Sequence, residues 1–283
     1  MISIQPHFFS IKTVRALVLS AIISLVSFSA MSQNTPAELP TINDDEFGFT
    51  GRFSAGLDWK IYKGLRLDAE YELRTHNNFA AVERHQASLG LSYKVCNYFR
   101  AGVAYTFIGH YKSSDGSFSP RHRASLHLSG MYDAGMWHLT LRESLEMTHK
   151  SASNPFQDTP YSLELRSRFK VSYRGFAHWE PYAYVELRNC FNDPSFNATW
   201  DEAGQVWTDY AFLGYKTAYV NRVRAVLGVE WKITRNHSID LSALYHWTHG
   251  LEIDTNKEGT KLKSAVWENA SDMAISLGYK FSF

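Results

Sequence analysis

Apolar and polar residues alternate one for one along most of this chain. From Phe47 to Ile61 the odd positions read Phe, Phe, Gly, Phe, Ala, Leu, Trp, Ile, and the even positions between them read Gly, Thr, Arg, Ser, Gly, Asp, Lys. Only a β-strand places every second residue on one face. The next segment sets Leu65, Leu67, Ala69, Tyr71 and Leu73 against Arg66, Asp68, Glu70, Glu72 and Arg74. The last sets Met273, Ile275, Leu277, Tyr279, Phe281 and Phe283 against Ala274, Ser276, Gly278, Lys280 and Ser282. Followed along the chain, this period predicts eleven strands, at 47–61, 65–75, 84–95, 98–108, 121–132, 137–148, 161–174, 180–191, 208–233, 237–249 and 264–283. No helical period competes with it after residue 33.

The connections alternate as well. Tight turns fall at Tyr62-Lys63-Gly64, Cys96-Asn97, Asp133-Ala134-Gly135, Gly175 to His178 and Thr234-Arg235-Asn236, with longer polar loops near 76–83, 109–120, 149–160, 192–207 and 250–263. Short turn and long loop in alternation describe a meander whose two rims face different compartments.

A secreted sandwich also alternates, so other features must separate it from a membrane barrel. The strands run about 11 residues or more, where a soluble strand averages about 5–6 and a tilted membrane strand needs about 9–11. The polar phase carries Arg66, Glu70, Glu72, Arg100, Arg142, Glu146, Glu164, Arg166, Arg168, Glu186, Arg188, Arg222, Arg224 and Glu230. A wet or ion-paired lumen accommodates such a face while the apolar phase meets lipid. Aromatics gather beside the tight turns: Trp59, Tyr62, Tyr93, Tyr98, Phe99, Tyr132, Trp137, Tyr173, Trp179 and Trp231, with Tyr279 beside the C-terminus. These read as an interfacial girdle. Phe107, Phe191, Tyr219, Trp247 and Trp267 form a second set near the long loops. The ending Tyr279-Lys280-Phe281-Ser282-Phe283 resembles the C-terminal signal of outer-membrane barrels, with Tyr279, Phe281 and Phe283 the residues that would address the barrel-assembly machinery.

The expected fold is therefore all-β, a transmembrane antiparallel up-and-down barrel of 10–12 strands with twelve favoured, short periplasmic turns and longer extracellular loops. Eleven is an awkward count, because bacterial single-chain barrels have even numbers of strands. Either a short upward strand within 34–46 supplies the twelfth, or 47–61 adds irregularly to a ten-stranded barrel. Glu143 falls on the apolar phase, which a bulge or a rim position would explain.

The N-terminal stretch reads as an address. Lys12 and Arg15 precede an uncharged apolar run, Ala16 to Phe28, which ends in the small-residue site Ala30-Met31-Ser32. The run is too short for a bilayer span of about 20 residues. The domain plan is thus a signal peptide at 1–32, a polar leader at 33–46 and the barrel at 47–283, in the outer membrane of a Gram-negative bacterium after cleavage near Ser32.

Composition narrows function by exclusion. The full chain of 283 residues has 29 basic and 28 acidic residues, so a general electrostatic grip on nucleic acid is not expected. Signs are mixed along the polar phase, so strong ion selectivity is not expected either. The two cysteines suit neither a disulfide framework nor a zinc cluster. Cys96 lies at a periplasmic turn and Cys190 near the far end of its strand, too distant for a bridge, so both should be free thiols.

His127 and Ser129 share one face of a strand, the spacing some outer-membrane lipid hydrolases use to activate serine, with Glu146 on the next strand as the candidate orienting acid. The pair lies on the lumen phase, away from an acyl chain, so no catalytic role is assigned. His246 and His249 near an outer rim have no evident third ligand and read as solvated. No cofactor or metal is implied.

Several segments resemble the outer-membrane family catalogued as domain of unknown function 2490 in Gram-negative bacteria. They are Glu72-Leu73-Arg74, Arg84, Leu89-Gly90-Leu91-Ser92-Tyr93-Lys94, Pro181-Tyr182 with Glu186, Asn221-Arg222-Val223-Arg224 with Gly228, and the aromatic C-terminus. The resemblance spans nearly the whole expected mature chain and implies an outer-membrane barrel. It brings no substrate and no catalytic residues, and 192–207, with Trp200 and Trp207, stands out as an insertion.

Three functions remain open: a barrel passing small solutes through an Arg/Glu-lined lumen, a closed barrel acting through its loops, and a lipid hydrolase. Outer-membrane lipid is the one partner common to all three.

Overall fold

The computed structural model describes residues 39–44, 48–111, 117–150 and 154–283. The expected signal peptide and most of the polar leader lie outside the described residues. Twelve strands follow in order: β1 (Thr41–Asn43), β2 (Gly48–Tyr62), β3 (Leu65–His76), β4 (Ala81–Cys96), β5 (Phe99–Tyr111), β6 (Phe118–Ala134), β7 (Trp137–Lys150), β8 (Tyr161–Tyr173), β9 (Trp179–Asp201), β10 (Val206–Lys232), β11 (His237–Thr255) and β12 (Leu262–Ser282). The described residues contain no helix.

Strands β2 to β12 pair antiparallel, each with the next, and β12 then pairs with β2 to close the barrel. Eleven is odd, so the first and last strands run the same way and the closing seam is parallel, from Asp272↔Gly48 to Ser282↔Asp58. Closure leaves no open edge along the seam, which an apolar exterior requires. The twelfth strand anticipated in the leader exists as β1. It does not run upward against β2. It runs parallel to β12, pairing Thr41 to Asn43 with Trp267 to Asn269, on the same edge that β2 occupies further along. Strands β1 and β2 are thus two pieces of one entering strand.

The register confirms period two through the barrel wall. Phe53, Leu57, Leu89, Val103, Leu126, Leu227 and Leu241 point outward and are exposed. The inward phase carries the charged rows. Glu143 stays on the outward phase, halfway along β7. The β7 register is unbroken, so neither a bulge nor a rim position accounts for it. Instead the Ser167 hydroxyl donates to its carboxylate at 2.5 Å.

Inward side chains are large, and glycine on a neighbouring strand makes room for some of them. A Cβ at Gly102 would collide with the His127 ring, and one at Gly228 would lie 2.5 Å from the Tyr182 ring. The inward face is not wholly polar. Val226, Leu244 and Ala274 are buried there as one apolar patch, with Tyr182 and Tyr184 packed against it.

The two ends differ. At the short-turn end, turns of two to five residues join the strands, and Gly64 (φ 83°) takes the left-handed position in the β2–β3 turn. The aromatics foreseen there pair across strands: Trp137 with Tyr173 at 5.0 Å, Trp179 stacked on Trp231 at 5.3 Å, and Trp59 with Phe283 at 6.4 Å. Tyr93, Tyr98 and Tyr279 are also exposed at this end, and Tyr132 is half-buried.

At the other end β10 leaves β11 beyond Arg222↔Thr248. Strands β9–β10 continue as one ribbon to Trp200↔Trp207, and β11–β12 as another to Thr255↔Leu262. The segments 192–207 and 250–263, read from sequence as loops, are mostly these ribbons.

Candidate functional site

The two ribbons pack on one another at the long-loop end. Trp267 is in step with the outward residues Met273 and Ile275, whereas Cys190 is in step with the inward residues Glu186 and Arg188. Yet Cys190, Tyr219 and Trp267 form one buried cluster, with Leu39 and Leu251 against it. The inner face of β9–β10 therefore lies over the outer face of β11–β12, which places β11–β12 on the axis side. Trp267 stacks on His249 at 4.5 Å and meets Tyr219 at 5.0 Å. Tyr219 donates to Asp193, whose carboxyl is pushed up by burial against the opposing pull of hydrogen bonds from Tyr219 and Cys190. Tyr219 and Trp267 are thus cap residues, not members of a lipid-facing girdle. His246 and His249 are not solvated either. His246 is buried beside Asp272 at 3.2 Å, and His249 bonds Asn269 at 2.7 Å within the aromatic stack.

Below the cap, β6 to β10 build a network around three inward glutamates. Glu146, 2% exposed, receives Arg166 at 3.1 Å, Arg123 at 3.3 Å and Arg188 at 3.7 Å. Glu186, 1% exposed, receives Arg168 at 2.6 Å and Arg224 at 3.0 Å, with Arg166 at 3.9 Å. Glu164 receives Arg188 at 3.2 Å and a hydrogen bond from Asn221 at 2.9 Å. The register explains the sharing. Arg166, Arg188 and Arg222 lie directly opposite one another, as do Arg168, Glu186 and Arg224. Like charges opposed on adjacent strands repel, so Arg166 turns to Glu146 and Arg188 to Glu164, each one step along. Arg168 also lies 4.5 Å from the Tyr184 ring centroid, and Lys170 lies 3.8 Å from that of Tyr182.

A second row crosses β2, β3 and β4, where Arg52, Arg74 and Arg84 stand opposite one another. Glu72 bonds Arg74 at 2.5 Å, and Glu83 bonds Arg84. Arg52 is 7% exposed, and among the described residues neither it nor Arg222 has a carboxylate within 4 Å. The Nε of each is buried without a hydrogen-bond partner.

Toward the short turns the charges separate into small groups. Asp58 meets Arg66 at 3.2 Å and Lys280 at 3.1 Å, while Glu180 takes Lys232 at 2.6 Å and Arg174 at 3.2 Å. Glu70, Arg100, Arg142 and Glu230, also expected in the lumen, form no ion pair among the described residues.

His127 and Ser129 are buried, and no hydrogen bond joins them or links His127 to Glu146 among the described residues. The Glu146 carboxylate is committed to arginines instead. Ser129 stands opposite Arg142 and Arg100. The described residues hold no group of three potential metal ligands, and both cysteines are free thiols, as their spacing foretold.

Sequence reasoning overlooked Arg84 and Arg123 as lumen residues. Arg123 was readable, being in step with His127 and Ser129. It also put Arg52 and Arg74 on the polar phase without singling them out. The inward apolar patch gave no signal, because Val226 follows Arg222 and Arg224 in the same phase.

A family described as "Protein of unknown function (DUF2490)" matches residues 53–257. No curated protein matches the chain. Among solved structures, the NanC porin aligns at 13% identity with a TM-score of 0.44, over 84% of this chain and 100% of that one. The outer-membrane OmpT of Vibrio cholerae aligns at 13% identity with a TM-score of 0.35, over 72% of this chain, which spans 59% of that longer protein.

Proposed function

The chain belongs to the DUF2490 family, and from that premise we propose an outer-membrane β-barrel of a Gram-negative bacterium that passes small solutes through its charged lumen. The membrane reading rests on the outward phase. A closed wall of exposed Leu, Val, Phe and Tyr, bounded by paired aromatics at the short turns, is stable in lipid and not in water. On this reading residues 1–32 are removed, the short turns face the periplasm, and the ribbons face outward. The terminal Tyr279, Phe281 and Phe283 address the assembly machinery.

One observation carries solute passage. Inward arginines at the centre of the network keep contact with solvent, with side-chain exposure of 22% at Arg166 and 27% at Arg168. This exposure leaves room for water beside the network and supports a passage that the network narrows without sealing. The overlapping ribbons favour a second reading, a closed barrel acting through its outer surface.

The test is single-channel conductance of refolded protein in a planar bilayer, after heat-modifiable gel migration has established folding. Discrete, reproducible steps are the expected result. A folded but silent barrel overturns solute passage and leaves the surface-acting reading. Signal cleavage is checked by N-terminal sequencing of membrane-extracted protein, which should begin at Gln33.

A further inference from the structure

Charge in the lumen is balanced on one wall and not on the other. On the β6–β9 wall, carboxylates stand among the guanidiniums that need them. Where β2, β3 and β4 face β9 and β10, six guanidiniums converge: Arg52, Arg74, Arg84, Arg188, Arg222 and Arg224. The charged neighbours of Arg222 include Arg74, Arg84, Arg188 and Arg224, and those of Arg52 include Arg74, Arg84 and Arg224 with Glu72 as the single acid. The cluster therefore spans the lumen from β2 to β10. Its acids are already engaged. Glu72 and Glu83 hold one arginine each, Glu186 is shared by Arg166, Arg168 and Arg224, and Glu164 is held by Arg188. Asp272 faces His246. Among the described residues no carboxylate lies within 4 Å of Arg52 or Arg222, and the acid nearest in charge to Arg52, Glu72, is already bonded to Arg74.

A buried guanidinium without a counter-charge is costly, and opposed like charges repel. A fold that needed these positions only for packing is served better by neutral side chains. A planar fork with unused donors matches the oxygens of a carboxylate or phosphate. The row is also reachable, since Arg74, Arg84 and Arg222 are only half-buried. The surplus lies inside a closed wall, where low-dielectric walls focus its field. Whole-chain charge balance conceals this separation.

We propose that Arg52 and Arg222, with Arg74 and Arg84 beside them, form a binding site for small oxyanions carrying two or more carboxylate or phosphate charges. This deepens the solute-passage reading by naming the class of solute, and it rests on that reading only for transport. Binding is a separate property of the lumen. The Val226, Leu244 and Ala274 patch follows Arg224 along the same inward face and offers an apolar surface to the carbon skeleton of an organic acid.

The test is calorimetric titration of refolded full-length barrel in detergent at low salt, with citrate as the carboxylate probe, pyrophosphate as the phosphate probe and spermidine as the cationic control. Expected is saturable binding of citrate, pyrophosphate or both, weakened by added salt, and no binding of spermidine. The R52Q/R222Q double variant should lose at least tenfold in affinity while keeping its heat-modifiable band. If that variant does not fold, the single variants R52Q and R222Q serve, each expected to weaken binding. Undiminished affinity in folded variants, or absence of binding by both anions, overturns the site. In bilayers the reversal potential across a KCl gradient should favour chloride and move toward zero in the double variant. Binding without conductance retires the channel and keeps the site. Conductance with no anion binding and no chloride preference retires the site and keeps the channel.

Discussion

The two walls of the lumen carry the same residue types and differ in arrangement. On the β6–β9 wall Glu146 and Glu186 each draw three arginines, so these two carboxylates are over-coordinated. Where β2 to β4 face β10, Arg52 and Arg222 have no carboxylate within 4 Å among the described residues. The first arrangement is cross-linking. It ties four adjacent strands through their side chains and fixes the shape of the barrel. The second has no such economy, because it collects repulsion that the fold does not itself relieve. A charged lumen is therefore two things at once, a brace on one side and a surface awaiting a counter-charge on the other.

The sharpest way to break this contrast is to remove one charge from each wall. Glu186→Ala strands Arg168 and Arg224 without their carboxylate and should destabilise the barrel by about 3–5 kcal/mol, the usual cost of breaking a buried pair from one side. Urea unfolding followed by tryptophan fluorescence in lipid vesicles measures it. Equal loss from Glu186→Ala and Arg52→Gln removes the distinction between the walls.

The cap gives a second, more local effect. Trp267 fills the space between the ribbons against His249 and Tyr219. Trp267→Ala should cost about 3 kcal/mol there, felt mainly by the ribbons, because the wall below them is paired independently. Limited proteolysis should cut between residues 189 and 221 faster than in the parent, and conductance should rise as the mouth opens. Unchanged cleavage and conductance mean that the ribbons do not close the passage.

The third effect has the opposite sign from the first. Arg52→Gln relieves repulsion from Arg74 and Arg84 and should leave stability unchanged or raise it by up to about 1 kcal/mol. The same urea titration reads it. A loss above that size makes Arg52 part of the brace.

The strand interiors of this barrel were legible because alternation is enforced wherever one face meets lipid and the other meets charge. The outer halves of β9 to β12 were not. In β10 the register slips at several points between Thr208 and Arg222, so the period fails although the pairing continues. Burial was misread at His246, His249 and Tyr219 for a related reason, since alternation gives a face but not what covers it. The lumen residues were found as a set, while their sorting into two walls was hidden. That sorting depends on register: Arg52 meets Arg74 and Arg84 only because three strands align them. The eleven strands read from alternation are the eleven of the closed wall, whereas the direction of β1 was out of reach, since it is three residues long and pairs with β12 instead of β2.

The smallest predicted effect lies where that edge reaches the mouth, above the arginine surplus, and it sharpens the contrast along the axis. Glu268 is in step with the inward residues Ala270 and Asp272. Burial first, then the neighbouring charges of Glu252 and Asp44, push its carboxyl above the ordinary range. The folded chain therefore holds this proton more tightly than the unfolded chain does. Docking of β1 beside it is most favourable when Glu268 is protonated and weakens as pH rises through the raised pKa. The reporters are the amides of Trp267, bonded to Pro40 at 2.9 Å, and Asp44, bonded to Asn269 at 2.7 Å. Their hydrogen exchange, corrected for intrinsic rate, should be slower at pH 5 than at pH 8 by at most about threefold, because exposed charges are well screened. Glu268→Gln should abolish the difference. If the difference survives that substitution, protonation of Glu268 does not control the docking of β1.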